Sequence, residues 1–311
     1  MERLIKDNMV DGVDLRKPIP NFVCEVCKMG KAVRTQFVES THQRMSRPMD
    51  LIHIDILEIP ASRDGEKYAL VITDDHSACK FVKGLKRKSD VKVAFEDWMT
   101  WAERMTDRRV KIIRSDNAGE FTGGDFGQFC EKIKVIREFI LPYEHEQNGT
   151  AKRSNRILCD KARCALIRAK LPVKFGLDAL LHSAFVANRS PVKNIRKFTP
   201  IEAFTGIKPN LRKLRIFGSL CWIKRPIHET KGRRKLEPRA FPARFLYYGQ
   251  GGHSYCCITL EGKIVEAVHV QFDETNLAGV EKQQLPAEPE GLWDDLSNFD
   301  YYKDTLESFD I

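Results

Sequence analysis

No apolar run in the 311-residue chain approaches the roughly 18 residues that a bilayer-spanning helix needs. The N-terminus, Met1-Glu2-Arg3-Leu4-Ile5-Lys6-Asp7, lacks the basic-then-apolar pattern of a secretory signal. No membrane is therefore expected among its partners, and the expected location is intracellular, nuclear or cytoplasmic. The nine cysteines are odd in number and show no framework spacing. Six of them, Cys79, Cys130, Cys159, Cys164, Cys221 and Cys256, sit inside apolar or helical runs and read as thiols of a reducing compartment. A Gly-rich phosphate loop ending in Lys-Ser/Thr, a Gly-x-Ser-x-Gly elbow and a His-Glu-x-x-His helix are all missing. Their absence sets aside P-loop nucleotide hydrolysis, α/β-hydrolase chemistry and zincin proteolysis.

Hydrophobic residues make up 42% of the chain, the level of a globular protein with a buried core. The formal charge of +9 is unevenly placed. From residue 281 onward nine acids face only Lys282 and Lys303, a net of −7, which leaves +16 on residues 1–280. A surplus of that size suits a polyanionic partner.

Chemistry concentrates in one stretch. Val110-Lys111-Ile112-Ile113-Arg114 has strand composition and runs into the polar turn Ser115-Asp116-Asn117-Ala118-Gly119-Glu120-Phe121, so Asp116 is expected at a strand's C-terminal edge. Asp55 is the one acid within Leu51-Ile52-His53-Ile54-Asp55-Ile56-Leu57. A charge in such an apolar strand is costly unless it is paired or binds a metal. Phosphodiester chemistry commonly gathers several carboxylates around two divalent ions roughly 3.5–4 Å apart.

With Gln147-Asn148-Gly149, Ala151, Arg153, Asn155 and Arg156 following, these residues resemble the integrase of copia-type retrotransposons, within the retroviral integrase superfamily. That family carries an Asp in its first strand, an Asp before Asn-x-Gly-Glu-Phe, and, after thirty-five intervening residues, a Glu within Gln-Asn-Gly-x-Ala-Glu-Arg-x-Asn-Arg. Asp55 and Asp116 match the first two, which implies catalytic roles as ligands of Mg²⁺ or Mn²⁺. The third position is Lys152. The motif's frame is intact while its third acid has reversed charge, so the resemblance implies DNA 3′-end processing and strand transfer as the ancestral reaction and a catalytic defect in this copy. Glu120, or Glu144 and Glu146 on the loop before Gln147, are candidate substitutes in a residual nuclease. Asp74-Asp75 read instead as the start of a turn between two strands. A host-retained, non-catalytic DNA-binding protein is the alternative from another class.

The resemblance implies an α/β fold, an RNase H-like mixed sheet with flanking helices, followed by a small β-barrel-like module. The expected divisions are a truncated zinc-knuckle region (1–40), the catalytic core (48–170), a helical connector (171–210), a basic barrel-like domain (211–275) and an acidic disordered tail (276–311). Strands are expected at 50–58, 67–73 and near 79–85, with a helix from Ser89-Asp90 to about Met105 burying Val93, Phe95, Trp98, Trp101, Ala102 and Met105. A further strand, a helix near 123–133 and the strand Val135 to Phe139 complete the sheet. In the helix after Gly149, Leu158, Ala162, Ala165, Leu166 and Ala169 define the buried face. Lys152, Asn155, Arg156, Cys159 and Arg163 share the opposite stripe, which is expected to face outward. By resemblance that stripe reaches the active site, making Lys152, Arg153, Asn155, Arg156 and Arg163 candidate DNA contacts.

Residues 211–245 hold eleven Lys and Arg against two acids. Interleaved with Phe217, Trp222, Phe241 and Phe245, they are candidate nucleic-acid contact chemistry, Lys231, Arg233, Arg234 and Lys235 above all. Cys24 and Cys27 match half of the family's His-His-Cys-Cys zinc site, but no histidine precedes His42. The chain is thus expected to begin just past its zinc ligands, and two thiolates are too few to hold Zn²⁺. DNA is the expected partner, and the resemblance admits a homo-oligomer.

Overall fold

Alternation along Leu51–Glu58 (β1) decides the architecture. Ile52 and Ile54 go to one side and His53 and Asp55 to the other, so both faces of this strand must be covered. The computed structural model describes residues 44–139, 149–193, 195, 197–225 and 238–274. The cysteine knuckle, Glu144, Glu146, the Lys231–Lys235 run and the acidic tail lie outside the described residues.

Tyr68–Asp74 (β2) and Lys80–Leu85 (β3) continue from β1 as an antiparallel meander. Helix Val91–Thr106 (α1) then returns the chain to the far side of β1, where Ile112–Ser115 (β4) pairs with it in parallel. Two short helices, Gly119–Thr122 (α2) and Gly124–Lys132 (α3), lead to Ile136–Phe139 (β5), which pairs in parallel with β4. The strand order is β3-β2-β1-β4-β5, the mixed sheet expected of an RNase H-like core. One face buries Ile52, Ile54, Leu70 and Ile72 beneath Phe95, Trp98, Phe126 and Phe129. In α1 the buried stripe is Val91, Phe95, Trp98, Met99 and Ala102. Val93 is 61% exposed, and Trp101 and Met105 are also partly open, because the stripe repeats at three and four residues from Val91 rather than from Val93.

The opposite face carries Gly149–Ala169 (α4) and Gly176–Ala187 (α5). Leu158, Ala162, Leu166 and Ala169 of α4 pack with Ala69, Val71 and Val82 of the sheet, as the sequence periodicity requires. Pro200–Thr205 (α6) begins at Thr199, whose hydroxyl accepts from the Glu202 amide, and buries Phe204 against α1's side of the core.

A second sheet follows, formed by Leu220–Lys224 (β6), Ala240–Tyr248 (β7), Tyr255–Thr259 (β8), Ile264–Ala267 (β9) and Val270–Asp273 (β10). All its pairings are antiparallel in the order β10-β6-β7-β8-β9, so among the described residues it is an open sheet and not a closed barrel. An irregularity between Phe245 and Tyr247 breaks the alternation of β7. Phe245 and Tyr248 consequently share one face with Cys221 and Tyr255, while Leu246 joins Leu158 and Leu180 in the α4–α5 core. Phe217 and Phe245 are buried, at 2% and 0% exposure, and serve as core residues rather than nucleic-acid contacts.

Gly218 links this sheet to α4. Its φ is +78°, and a Cβ there would lie 2.3 Å from the Cβ of Ala169. Gly218→Ala combines backbone strain with overpacking and should lower stability by about 2 kcal/mol or more in urea denaturation. An unchanged midpoint would show that the second sheet does not depend on this contact.

Candidate active site

The parallel register of β1 and β4 matches Leu51 with Ile112, Ile52 with Ile113 and His53 with Arg114. Carried two residues further, it sets Asp55 level with Asp116. Asp116 ends β4 in a turn, its Oδ1 accepting from the Ala118 amide at 3.1 Å. Asp55 projects from β1 on the face covered by α4. Its Oδ1 accepts from the Ile56 amide at 2.9 Å and its Oδ2 from the side-chain Nδ2 of Asn155 at 2.7 Å.

Burial first, and the negative charge of Asp116 second, push the Asp55 carboxyl up to about 6. The hydrogen bonds from Ile56 and Asn155 and the positive charge of Lys152 pull it the other way. Asp55, Asp116, Lys152 and Asn155 therefore form one constellation, built from the second half of β1, the turn after β4 and the first turns of α4.

The expectation that the Lys152–Arg163 stripe faces outward does not hold at Asn155, which is only 4% exposed. The helix starts over the end of β1, so its first turns rest Ser154 and Asn155 on the sheet before Leu158 takes over. Lys152 and Arg156 are half-buried and Arg153 is exposed. Arg163 forms an ion pair with Asp160 at 3.0 Å.

Asp74 and Asp75 are fully buried and committed to the turn after β2. Asp74 accepts from the Met49 amide at 2.8 Å and from the Ser77 amide at 2.7 Å. Asp75 accepts from the Met45 amide at 2.8 Å and lies 3.1 Å from His53 Nε2. Glu120 sits 3.9 Å from Lys88.

Two divalent ions need more oxygen donors than this constellation offers. Both Asp55 oxygens already accept N–H bonds, the third position supplies an ammonium, and among the described residues no three His, Cys, Asp or Glu side chains converge. Among the described residues, the donor set does not fit the two-ion cage.

Residues 45–145 match the family described as Integrase core domain, and residues 219–286 match the Retroviral polymerase SH3-like domain. The class is thus an integrase core joined to a retroviral SH3-like module. Over 82% of its length the chain is 30% identical to the Retrovirus-related Pol polyprotein from transposon TNT 1-94 of Nicotiana tabacum. Over 81% it is 27% identical to that from transposon RE1 of Arabidopsis thaliana. It covers 19% and 17% of those polyproteins, about a fifth of their length. Among solved structures it is similar to the HTLV-2 integrase catalytic core domain in complex with magnesium, at 18% identity and a TM-score of 0.41, covering 52% of this chain and 99% of that one. The chain carries the integrase core domain of a retrotransposon Pol polyprotein, and the copia-type resemblance holds.

A carboxyl raised in the folded state keeps its proton there between its ordinary value near pH 4 and about pH 6. Folding then binds the extra proton, so stability falls as pH rises through that window. Asp55→Asn should be more stable than the parent above about pH 6, by on the order of 1–2 kcal/mol for a half-buried group, with the difference vanishing below about pH 4. Urea denaturation of both proteins across this range checks it; a difference independent of pH would contradict the assignment.

Proposed function

We propose that the chain is a retrotransposon-derived integrase fragment that binds DNA and is defective in metal-dependent 3′-end processing and strand transfer. The observation that carries this reading is the positive charge of Lys152 acting on Asp55. It stands where the resemblance requires a carboxylate. Replacing an acid by an ammonium removes an oxygen ligand and adds a charge that repels a divalent ion. At an effective dielectric of about 20, a unit charge about 4 Å from a divalent ion is unfavourable by roughly 8 kcal/mol before the side chain relaxes. Each ~1.4 kcal/mol is about tenfold in rate, so a loss of at least about a thousandfold survives substantial relaxation.

DNA binding needs no metal. It draws on the +16 of residues 1–280 and on the basic side chains near the start of α4, with Lys152 free of any catalytic duty and suited as a point charge to a backbone phosphate. Self-association is part of the same proposal, as is a weak hold on Mg²⁺ or Mn²⁺ at most.

Two measurements test the two halves. An oligonucleotide strand-transfer assay with Mn²⁺ should find the parent inactive and Lys152→Glu the variant that regains activity. Robust parental activity, lost in Glu144→Gln or Glu146→Gln, would overturn the defect. Duplex DNA affinity in a gel-shift titration should fall at least about tenfold from low to moderate salt, with little sequence preference. Salt-independent affinity would remove the binding claim.

A further inference from the structure

The last described residue, Glu274, lies one position past β10 and is anchored there. Its carboxylate Oε1 accepts from the Ile216 amide at 2.8 Å, which fixes the point where the following segment leaves the second sheet. Because β10 runs antiparallel to β6, with Asp273 opposite Leu220 and Val270 opposite Ile223, this exit is at the end of the sheet away from Lys224.

The surface around the exit is cationic. Arg212 and Lys213 are exposed on the single turn Leu211–Lys213, which Asn210 holds by accepting from the Arg212 amide at 2.9 Å. Arg215 adjoins Ile216, with its guanidinium 5.0 Å from the centre of the Phe272 ring on β10. The end of α4 approaches from the other side. Gly218 packs on Ala169, and Arg244 donates to the Ala169 carbonyl at 3.2 Å, so exposed Arg168 borders the same end of the second sheet. Among the described residues, none of Arg168, Arg212, Lys213 and Arg215 takes part in an ion pair. Asp273 and Glu274 are the acids of β10's end, and two carboxylates only partly offset four cations.

The segment that starts at this exit carries the opposite charge. Residues 275–280 hold no charged side chain, and from residue 281 nine acids face only Lys282 and Lys303, a net of −7. Asp294 and Asp295 come about 20 positions after Glu274, a length over which a flexible chain spans roughly 25 Å. A tether of that length gives an effective concentration on the order of millimolar, at which surface ion pairs worth less than about 1 kcal/mol each add up to a populated contact. Trp293, next to Asp294, offers a ring of the kind that stacks on a guanidinium.

We propose that residues 281–311 dock in cis on the exit surface of Arg168, Arg212, Lys213 and Arg215, supplying the counter-charge that these cations lack. The docked segment screens this surface from other polyanions. Its competition with DNA rests on the function proposed above; the docking itself does not.

Zero-length carbodiimide crosslinking of the full chain, which joins a lysine amine to a carboxylate in contact with it, tests the docking. At low salt, mass spectrometry should find Lys213 joined to acids of 281–311 in at least about threefold greater yield than the exposed Lys224 and Lys263. The double variant Arg168→Gln, Arg212→Gln, checked for folding by circular dichroism, should lower the Lys213 yield at least about twofold. Equal yields at the three lysines would show a tethered but undocked segment and overturn the proposal, as would a maximum at Lys231 or Lys235 or a yield unmoved in the double variant. Mixing chains of natural and heavy nitrogen separates the remaining occupants. Crosslinks between differently labelled copies would assign the surface to a second copy. Protection of Lys213 by duplex DNA in a chain that forms no such crosslink would assign it to nucleic acid, and either result overturns docking in cis. The crosslinks are read without strand transfer or gel shifts, so this inference and the proposed function fail separately.

Discussion

Parallel pairing of β1 with β4 places two carboxylates, Asp55 and Asp116, at the same level of the sheet, and like charges so close must be neutralised or kept apart. Much of the local structure answers that constraint. Asn155 reaches down from α4 to donate to Asp55, and the Ile56 amide takes the other oxygen. Lys152, one turn earlier on the same helix, supplies positive charge from within the chain. In a metal-dependent relative that charge would come from outside. Here the chain brings its own, and the positive charge of Lys152 offsets the repulsion between the two carboxylates.

The helix that delivers Lys152 and Asn155 is held by more than the active-site face. Leu158, Ala162, Leu166 and Ala169 bind it to the central sheet, and the same hydrophobic cluster takes in Leu246, Ile258 and Phe217 from the second sheet. The irregularity in β7 allows this, because without it Phe245 and Tyr248 could not share a face while Leu246 serves the other. The second sheet therefore buttresses the helix that carries the site. Its position is a matter of packing rather than of a flexible tether.

Much of this was legible in the sequence, for identifiable reasons. The core of β1 is a run of branched apolar residues with one anomalous acid, Asp55, β2 is similarly apolar, and the helices show clear three-and-four spacing, so their existence and order followed from periodicity. Asp55, Asp116 and Lys152 stand out because the copia-type frame fixes their spacing, and the structure sets Asp116 and Lys152 within electrostatic reach of Asp55. What escaped was tertiary in origin. Asn155 lies on a polar stripe by helical arithmetic, yet the helix lands on the sheet at its first turn and buries it. Phe217 and Phe245 sit among basic residues in sequence but point into the core, which charge counting does not register. The open edge of the second sheet depends on which strands fail to pair, and no local pattern specifies that.

The central claim is that Lys152 has replaced a divalent ion as the partner of the Asp55–Asp116 pair. The most direct measurement is thermal unfolding in Mn²⁺ and in chelator, on the parent and on Lys152→Glu. The account predicts a parental Tm indifferent to Mn²⁺, and in Lys152→Glu a Tm lowered in chelator by carboxylate repulsion and raised again by Mn²⁺. A parental Tm that rises with Mn²⁺ while that of Asp55→Asn does not would contradict it.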